Sequence, residues 1–242
     1  MKSIFGEDNR PMAGLMSLFG AFCDIDVSYK TVERLYPNEL VRMAIHNMFV
    51  LSIKQRCDKR IGVSGDGTGY TLTVTKHYRT QIDKEGYRKF VYSFNLADIK
   101  TGLYVCYGSG IRSEKEVFGN AMKMLRKIEN AAGITINSAR LERYYSYQST
   151  LDYFDDETVL YIIPKSNTKI NGRQRWRNIF RRMPEDPLQY LIQHYKRENS
   201  EISFSTDKRM CGWKVWQKRG ERIGTAISCI AILHNIFRIG YG

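Results

Sequence analysis

Apolar positions along the chain change between the periods of strands and helices and predict an ordered series of elements. The segment 60–70, RIGVSGDGTGY, predicts a short strand that runs into a glycine-rich turn, with Asp66 just past the last strand residue. The segment 89–110 is rich in Val, Tyr, Phe and Leu and predicts a β-hairpin that turns at DIKTG. A helix is predicted over 113–133, because a serine with acids behind it opens the segment and Gly133 closes it.

The second half of the chain continues with shorter elements. A strand is predicted at 134–142, followed by a helix around QSTLDYFDD at 148–156. The segment 158–164, TVLYIIP, predicts a strong strand that its proline ends. The charged segment 194–210 predicts one helix.

This order of elements indicates the fold class. Three leading strands, of which the second and third form a hairpin, precede alternating strands and helices and a final helical region. That order is typical of the α/β ribonuclease H-like architecture, a mixed sheet flanked by helices. We expect 58–242 to form this domain and 1–57 to be a helical N-terminal extension. Apolar side chains in the extension form a stripe along one helix face: Leu40, Ala44, Met48 and Leu51.

Three acidic residues are expected to meet in such a fold. The carboxyl ends of strands one and four lie side by side, where open sheets collect their ligands. Asp66 is predicted at the end of strand one and Glu142 at the end of strand four. Glu201 is predicted on the helix that packs across those strand ends, with Arg197 and Lys208 on the same helix face. Without this context, Arg197 and Glu201 would be an ordinary surface ion pair.

Three converging carboxylates repel one another and need a positive partner. Hard oxygen ligands select magnesium or manganese. Two such ions can activate a water or a 3′ hydroxyl and stabilise the leaving oxygen of a phosphodiester.

The net charge indicates which macromolecules the protein binds, and the cysteine spacing indicates whether it has structural zinc or disulfides. The 242 residues carry a formal net charge of +13, and residues 165–222 hold 15 Lys or Arg against 6 Asp or Glu. Such a field favours nucleic acid first and an anionic membrane second. Apolar runs are too short for a membrane span, and no signal peptide is recognised, so we expect a cytoplasmic protein that associates with the nucleoid. The cysteines show no CxxC spacing and indicate neither structural zinc nor a disulfide framework: Cys23, Cys57, Cys106, Cys211 and Cys229.

An ordered set of motifs resembles the DDE transposases of prokaryotic insertion sequences, and the archaeal-type members most closely. The set comprises GTGY after Asp66, RYYS after Glu142, YIIPKSN at 161–167 and the R-x3-E-x6-K spacing of Arg197, Glu201 and Lys208. It also includes SYKTVERLYPNEL near the start and AILHNIF near the end, so the similarity runs from about residue 28 to 237.

The resemblance implies a role for each matched residue. Asp66 would be the first metal ligand and Glu201 the closing glutamate of a site that holds Mg²⁺ or Mn²⁺, with two ions expected. Arg197 and Lys208 would hold DNA phosphates. The partners implied are double-stranded DNA, as transposon ends and target, and a second copy of the chain in the DNA complex; no membrane is implied.

Two positions depart from the family pattern. The second carboxylate is normally an aspartate, and Glu142 is one methylene longer, with Asp152 as a fallback ligand. The tyrosine expected three places before the arginine falls at His194, with Tyr195 as its neighbour. Two other functions therefore stay open: a DNA-binding transposase remnant that has lost turnover, and a different ribonuclease H-like nuclease such as a junction resolvase.

Smaller groups of residues allow two interpretations. The three tryptophans Trp176, Trp213 and Trp216 would either stack on exposed bases or pack in the core. His234 and Asn235 are expected to be structural, as buried polar groups that bond the backbone.

Overall fold

The fold centres on a six-stranded mixed sheet, seen in a computed structural model that describes residues 28–72, 90–217 and 219–241. The strands are β1 Arg60–Leu72, β2 Phe90–Asp98, β3 Tyr104–Gly110, β4 Thr135–Leu141, β5 Val159–Ile162 and the short β6 Lys214–Val215. Their order is β3-β2-β1-β4-β5, with β6 paired to the end of β1. The β1–β2 and β2–β3 pairs are antiparallel, whereas β4 is parallel to both β1 and β5.

Helices flank this sheet. They are α1 Tyr29–Leu35, α2 Glu39–Arg56, α3 Glu114–Ala132, α4 Gln174–Glu185, α5 Pro187–Tyr195, α6 Glu198–Cys211 and α7 Gly220–Tyr241. Two 3-10 helices, Arg143–Tyr145 and Gln148–Tyr153, connect β4 to β5. This arrangement confirms the predicted α/β ribonuclease H-like fold.

Helix α3 forms where its sequence predicts and covers one face of the sheet. The Ser113 hydroxyl accepts a hydrogen bond from the Glu116 N–H at 3.2 Å, and Gly133 ends the helix in the left-handed conformation with φ of 70°. One apolar stripe of the helix is buried in the main core: Val117, Phe118, Ala121, Met122, Leu125 and Ile128. Local signals and tertiary packing agree along this helix.

The predicted turn after the first strand was wrong, because β1 continues through its glycines to Leu72. Close packing explains their presence: a Cβ on Gly65 would lie 2.6 Å from Leu96 Cδ2 and 2.7 Å from Phe94 Cζ. The glycines therefore permit close approach of neighbouring side chains, and Asp66 lies inside the strand.

Two helix predictions also need correction. The segment 194–210 is divided, because α5 ends at Tyr195 and α6 begins at Glu198. The segment predicted as a helix at 148–156 is a 3-10 helix with a different end, Gln148–Tyr153.

The apolar stripe predicted for α2 does not face the core. Leu40 and Met48 are 74% and 51% exposed, whereas Phe49 and Ile53 are fully buried. The helix has apolar residues on two faces, and packing against α7 and the sheet determines which one is buried. Because Phe49 and Ile53 join the core of the sheet, α2 is part of the folded unit; the functional division at residue 57 stays a prediction.

Helix α7 is apolar enough over Gly220–Gly240 to cross a membrane by length and composition, but half of it is buried inside the protein. Its buried face carries polar groups with protein partners. Asn235 accepts a hydrogen bond from the Tyr104 N–H at 2.8 Å and donates to the Tyr104 carbonyl at 3.0 Å. His234 contacts the Gly102 carbonyl through Nε2 at 2.9 Å. This confirms the structural role predicted for His234 and Asn235, and it identifies α7 as a core helix.

Candidate functional site

Asp66 lies near the middle of β1, with only 7% of its surface exposed. It pairs in register with Asn95 on β2. Its Oδ1 accepts a hydrogen bond from the Gly67 N–H at 2.8 Å, and its Oδ2 accepts one from Arg197 Nη1 at 3.1 Å. The carboxylate is therefore held in a fixed position by one backbone group and one cation.

Glu142 follows β4 directly and lies beside Asp66. The two strands are parallel, with Gly65 paired to Leu141, so the next residue along each strand is one of the two acids. The Glu142 side chain is close enough to Asp66 to help raise the pKa of the Asp66 carboxyl. The two acids were predicted to meet at the carboxyl ends of these strands; the structure brings them together where β4 ends beside the middle of β1.

Burial raises the pKa of Asp66 to about 7. The Gly67 N–H opposes this rise, the negative charge of Glu142 adds to it, and the Arg197 guanidinium again opposes it. Two adjacent carboxyls of which one is easily protonated are typical of a site that lacks enough positive charge.

Glu201 reaches the same place through Arg197. Glu201 lies in the first turn of α6, and its Oε1 is 2.9 Å from Arg197 Nη2. Arg197 is the N-cap residue of α6, and its opposite nitrogen, Nη1, contacts Asp66. A single guanidinium thus joins the two acids, which places Glu201 on the same side of the sheet as Asp66. The predicted i,i+4 pair is present and forms part of this larger group.

Lys208, on helix α6, contacts β1 two residues beyond Asp66. Its Nζ donates a hydrogen bond to Thr68 Oγ1 at 2.7 Å, and Thr68 faces the same side of the sheet as Asp66. The Nζ atom also lies 4.8 Å from the centre of the Trp213 ring. Arg197 and Lys208 therefore line one surface next to the acids.

The donor chemistry of the site fits a hard divalent cation. Asp66, Glu142 and Glu201 offer carboxylate oxygens. Because burial raises the pKa of Asp66, an additional cation would stabilise its ionised form. In the described ranges 28–72, 90–217 and 219–241, however, no three His, Cys, Asp or Glu side chains are grouped closely enough to hold a metal ion. Arg197 supplies the positive charge between Asp66 and Glu201 in this conformation.

The neighbouring aromatic positions divide between core and surface. His194 is 4% exposed, whereas Tyr195 is 53% exposed, so Tyr195 is the member of this pair that is accessible to a DNA strand. Trp176 is buried, which settles its core role, while Trp213 and Trp216 are 61% and 37% exposed.

Sequence reasoning missed Arg140 and Asn95. Asp152, the fallback ligand, is ion-paired with Arg173. Arg140 lies on β4 two residues before Glu142, and Asn95 is paired with Asp66 across the strands. Alternation along β4 could have placed Arg140 on the face of Glu142, but the β1–β2 register that places Asn95 depends on where β1 ends.

Comparison with known proteins gives one informative relative. No family model matches the chain. The chain is 42% identical over 240 residues to the "Probable transposase for insertion sequence element ISA1214" of Archaeoglobus fulgidus. The match covers 98% of this chain and 71% of the relative. The chain belongs to the family of insertion-sequence transposases.

Proposed function

We propose that this protein cuts and joins DNA strands at the ends of an insertion sequence by DDE chemistry, with Asp66, Glu142 and Glu201 as the metal-binding acids. The observation that carries the proposal is the position of these acids: the buried Asp66 lies beside Glu142 on adjacent parallel strands, and Arg197 is ion-paired with both Asp66 and Glu201.

The site residues have two proposed roles, metal binding and phosphate binding. Asp66 and Glu142 would hold Mg²⁺ or Mn²⁺, with Glu201 completing the site, and two ions so held would supply nucleophile activation and leaving-group stabilisation. A cation held beside Asp66 would favour the ionised form of this carboxyl, whose pKa burial raises to about 7. Arg197 would exchange its ion pairs with Asp66 and Glu201 for a DNA phosphate, for which its planar fork of donors is suited.

The basic surface supports double-stranded DNA as the substrate, both as element ends and as target. Lys208 lies beside the acids, and the exposed Tyr195 precedes Arg197 by two residues; both are proposed to contact the DNA backbone. We further propose that two copies of the chain act together in the DNA complex, in the cytoplasm at the nucleoid.

Two features favour a second candidate, a DNA-binding remnant that does not cleave DNA. Arg197 is ion-paired with both Asp66 and Glu201. Glu142 is also longer than the aspartate usual in the family. A site locked in this way would keep the basic surface and lose cleavage.

Metal dependence separates the two candidates. A duplex that carries the element's own end is incubated with the protein in magnesium, in manganese and in EDTA. Cleavage at the element end in either metal and none in EDTA is the expected result. DNA binding without cleavage in either metal would support the remnant, and cleavage in EDTA would exclude DDE chemistry.

A further inference from the structure

A second group of cations lies close to the acids, in a surface pocket of about 290 Å³. The pocket opens between the start of β1, the β2–β3 turn, β4 and the end of α5. Its lining includes Arg60, Lys100, Arg140 and Lys196. Lys100 is bound to Asp58 at 2.7 Å, so its charge is compensated. Among the described residues, Arg60, Arg140 and Lys196 have no carboxylate oxygen within 4 Å.

Arg140 is the unusual member of this group because it is only 5% exposed. All of its hydrogen bonds go to neutral atoms. Nε donates to the Gln193 carbonyl at 3.1 Å, Nη2 to Gln193 Oε1 at 2.8 Å, and Nη1 to Ser138 Oγ at 2.6 Å. A guanidinium has five N–H groups, so these three bonds leave donors for a ligand. The guanidinium carbon also lies 4.9 Å from the centre of the Tyr161 ring. Burial lowers the pKa of Arg140, and a buried cation without a carboxylate partner is stabilised when an anion joins it.

The acidic side chains in the pocket are already satisfied. Asp98 Oδ2 accepts hydrogen bonds from the Thr101 N–H at 3.0 Å and from Thr101 Oγ1 at 2.6 Å. Its Oδ1 accepts one from the Lys100 N–H at 3.4 Å. Asp58 is held by the Lys100 side chain. These contacts leave the charges of Arg140, Arg60 and Lys196 available to an anion.

Gly62 keeps the floor of the pocket open. A Cβ at this position would lie 2.9 Å from Ser138 Oγ and 3.0 Å from Arg140 Nη1. The missing side chain therefore leaves room for Arg140 and for a small anionic group beside it.

Chain geometry places the pocket next to the acids. Arg140 precedes Glu142 by two residues and so faces the same side of the sheet. Lys196 lines the pocket, and the next residue, Arg197, contacts Asp66. From Gly62 to Asp66 is four residues of β1, about 13 Å at 3.3 Å per residue. A DNA strand covers that distance in about four nucleotides at 3.4 Å of rise each.

We propose that this pocket, built around Arg140 and Lys196, binds one backbone phosphate of the DNA strand that enters the acid site, within about four nucleotides of the bond that is cut. The proposal rests on the proposed function, because it takes the ligand to be the transposase's own DNA. It assigns to Arg140 a phosphate-holding role that does not require the metal.

Single neutral linkages test the pocket directly. Duplexes of the element's own end carry one methylphosphonate at each position within six nucleotides of the cut, and their affinities are measured without divalent metal. For the natural protein, we expect one neutral linkage within about four nucleotides of the cut to weaken binding about 5- to 10-fold. In Lys196→Ala the penalty at that same position should shrink to less than twofold, because the phosphate has already lost its partner.

Lys123→Ala is the matched control, since Lys123 is exposed on α3 and has no ion pair with any described residue. It should keep the full penalty. Arg140→Gln, if its circular dichroism matches the natural protein, should behave as Lys196→Ala does; if it does not fold, Lys196→Ala decides.

The outcomes separate the pocket from the enzymatic function. Identical interference profiles for the natural protein, Lys196→Ala and Lys123→Ala would overturn the pocket, even if cleavage is normal. A profile that depends on Lys196 in a protein that does not cleave would support the pocket and contradict the enzymatic function. Failure to bind the duplex at all would contradict both.

Discussion

Asp66 is a buried carboxyl whose charge costs the metal-free protein stability. Burial raises the pKa of the Asp66 carboxyl from 3.8, its ordinary value and the one expected in the unfolded chain, to about 7 in the folded protein. Since the folded protein holds this proton more tightly than the unfolded chain does, the cost is absent below about pH 3.8 and grows until the pH passes about 7. A residue kept at such a cost is typical of a functional site.

Asp66→Asn should therefore stabilise the metal-free protein in a pH-dependent way. The free energy of unfolding should rise by about 2 to 4 kcal/mol at pH 8, and the gain should approach zero as the pH falls to about 4. Urea unfolding in EDTA across this range measures it. Glu201→Gln serves as the control, because that side chain is 56% exposed and should show little pH-dependent gain. A gain for Asp66→Asn that does not change with pH would show that its ionisation is not the cause.

At this scale the sequence predicted that Asp66 and Glu142 are neighbours, but not how Asp66 is held. Asp66 and Glu142 were placed side by side by strand order alone. The position of Asp66 inside β1 was not predicted, because Gly65 and Gly67 are usual turn residues and their role here depends on side chains from other strands and segments. The link from Arg197 to Asp66 was missed for the same reason, since it crosses 131 positions of the chain.

At the scale of elements, α6 is the helix whose position matters most to the site. Its buried face carries Asp207, which accepts a hydrogen bond from Tyr104 Oη at 2.6 Å and lies 2.7 Å from His234 Nδ1. These bonds tie α6 to β3 and α7. Glu201 and Lys208 lie about 100 to 120° around the helix from Asp207, where Glu201 contacts Arg197 and Lys208 contacts Thr68 of β1.

Strand β3 and helix α3 approach each other unusually closely, and glycine is what allows it. A Cβ on Gly108 would lie 2.3 Å from the Val117 carbonyl oxygen and 2.8 Å from the Ala121 nitrogen, both backbone atoms that cannot turn aside. Gly108→Ala should therefore destabilise the protein by about 2 to 3 kcal/mol. Gly69→Ala is a matched strand glycine whose Cβ would meet nothing closer than 3.9 Å, and it should change stability by less than about 1 kcal/mol. Chemical denaturation compares the two; an equal effect would mean that this close approach does not limit packing.

Element order was more predictable than element boundaries or faces. Strong local signals, such as Ser113 and Gly133, fixed the ends of α3. The division between α5 and α6 was not visible, because the helical pattern of charges continues through Arg197. The exposed stripe of α2 was assigned to the wrong face for a related reason: periodicity reveals an apolar face but does not choose between two of them.

At the scale of the whole molecule, the excess of positive charge would attract the proposed DNA substrate. The net charge is +13, and Lys208 lies beside the acids with its Nζ bonded to a neutral hydroxyl. A protein that neutralises several phosphates releases counterions, so its affinity falls steeply with salt.

Lys208→Ala should weaken duplex binding and reduce the slope of log affinity against log salt by about 1. Titrations between 50 and 200 mM potassium chloride measure the slope, using buffers without divalent metal. Lys123→Ala, which alters the net charge equally, should leave the slope nearly unchanged. Affinity independent of salt, or equal changes in both variants, would contradict a specific DNA surface beside the acids.

Substitution of Glu201 tests most directly whether Asp66, Glu142 and Glu201 together catalyse DNA cleavage. Strand cleavage of the element's own end is measured in magnesium and in manganese for the natural protein, Glu201→Gln, Glu142→Asp and the control Glu198→Gln. Glu198 is exposed in the same first turn of α6 and has no ion pair with a described residue. We expect Glu201→Gln to abolish cleavage while it still binds DNA, and Glu198→Gln to cleave normally. We expect Glu142→Asp to keep or raise activity, because displacement of a ligand by about 1 Å changes rates on the order of 100-fold. Equal cleavage by the natural protein and Glu201→Gln would contradict catalysis by these three acids.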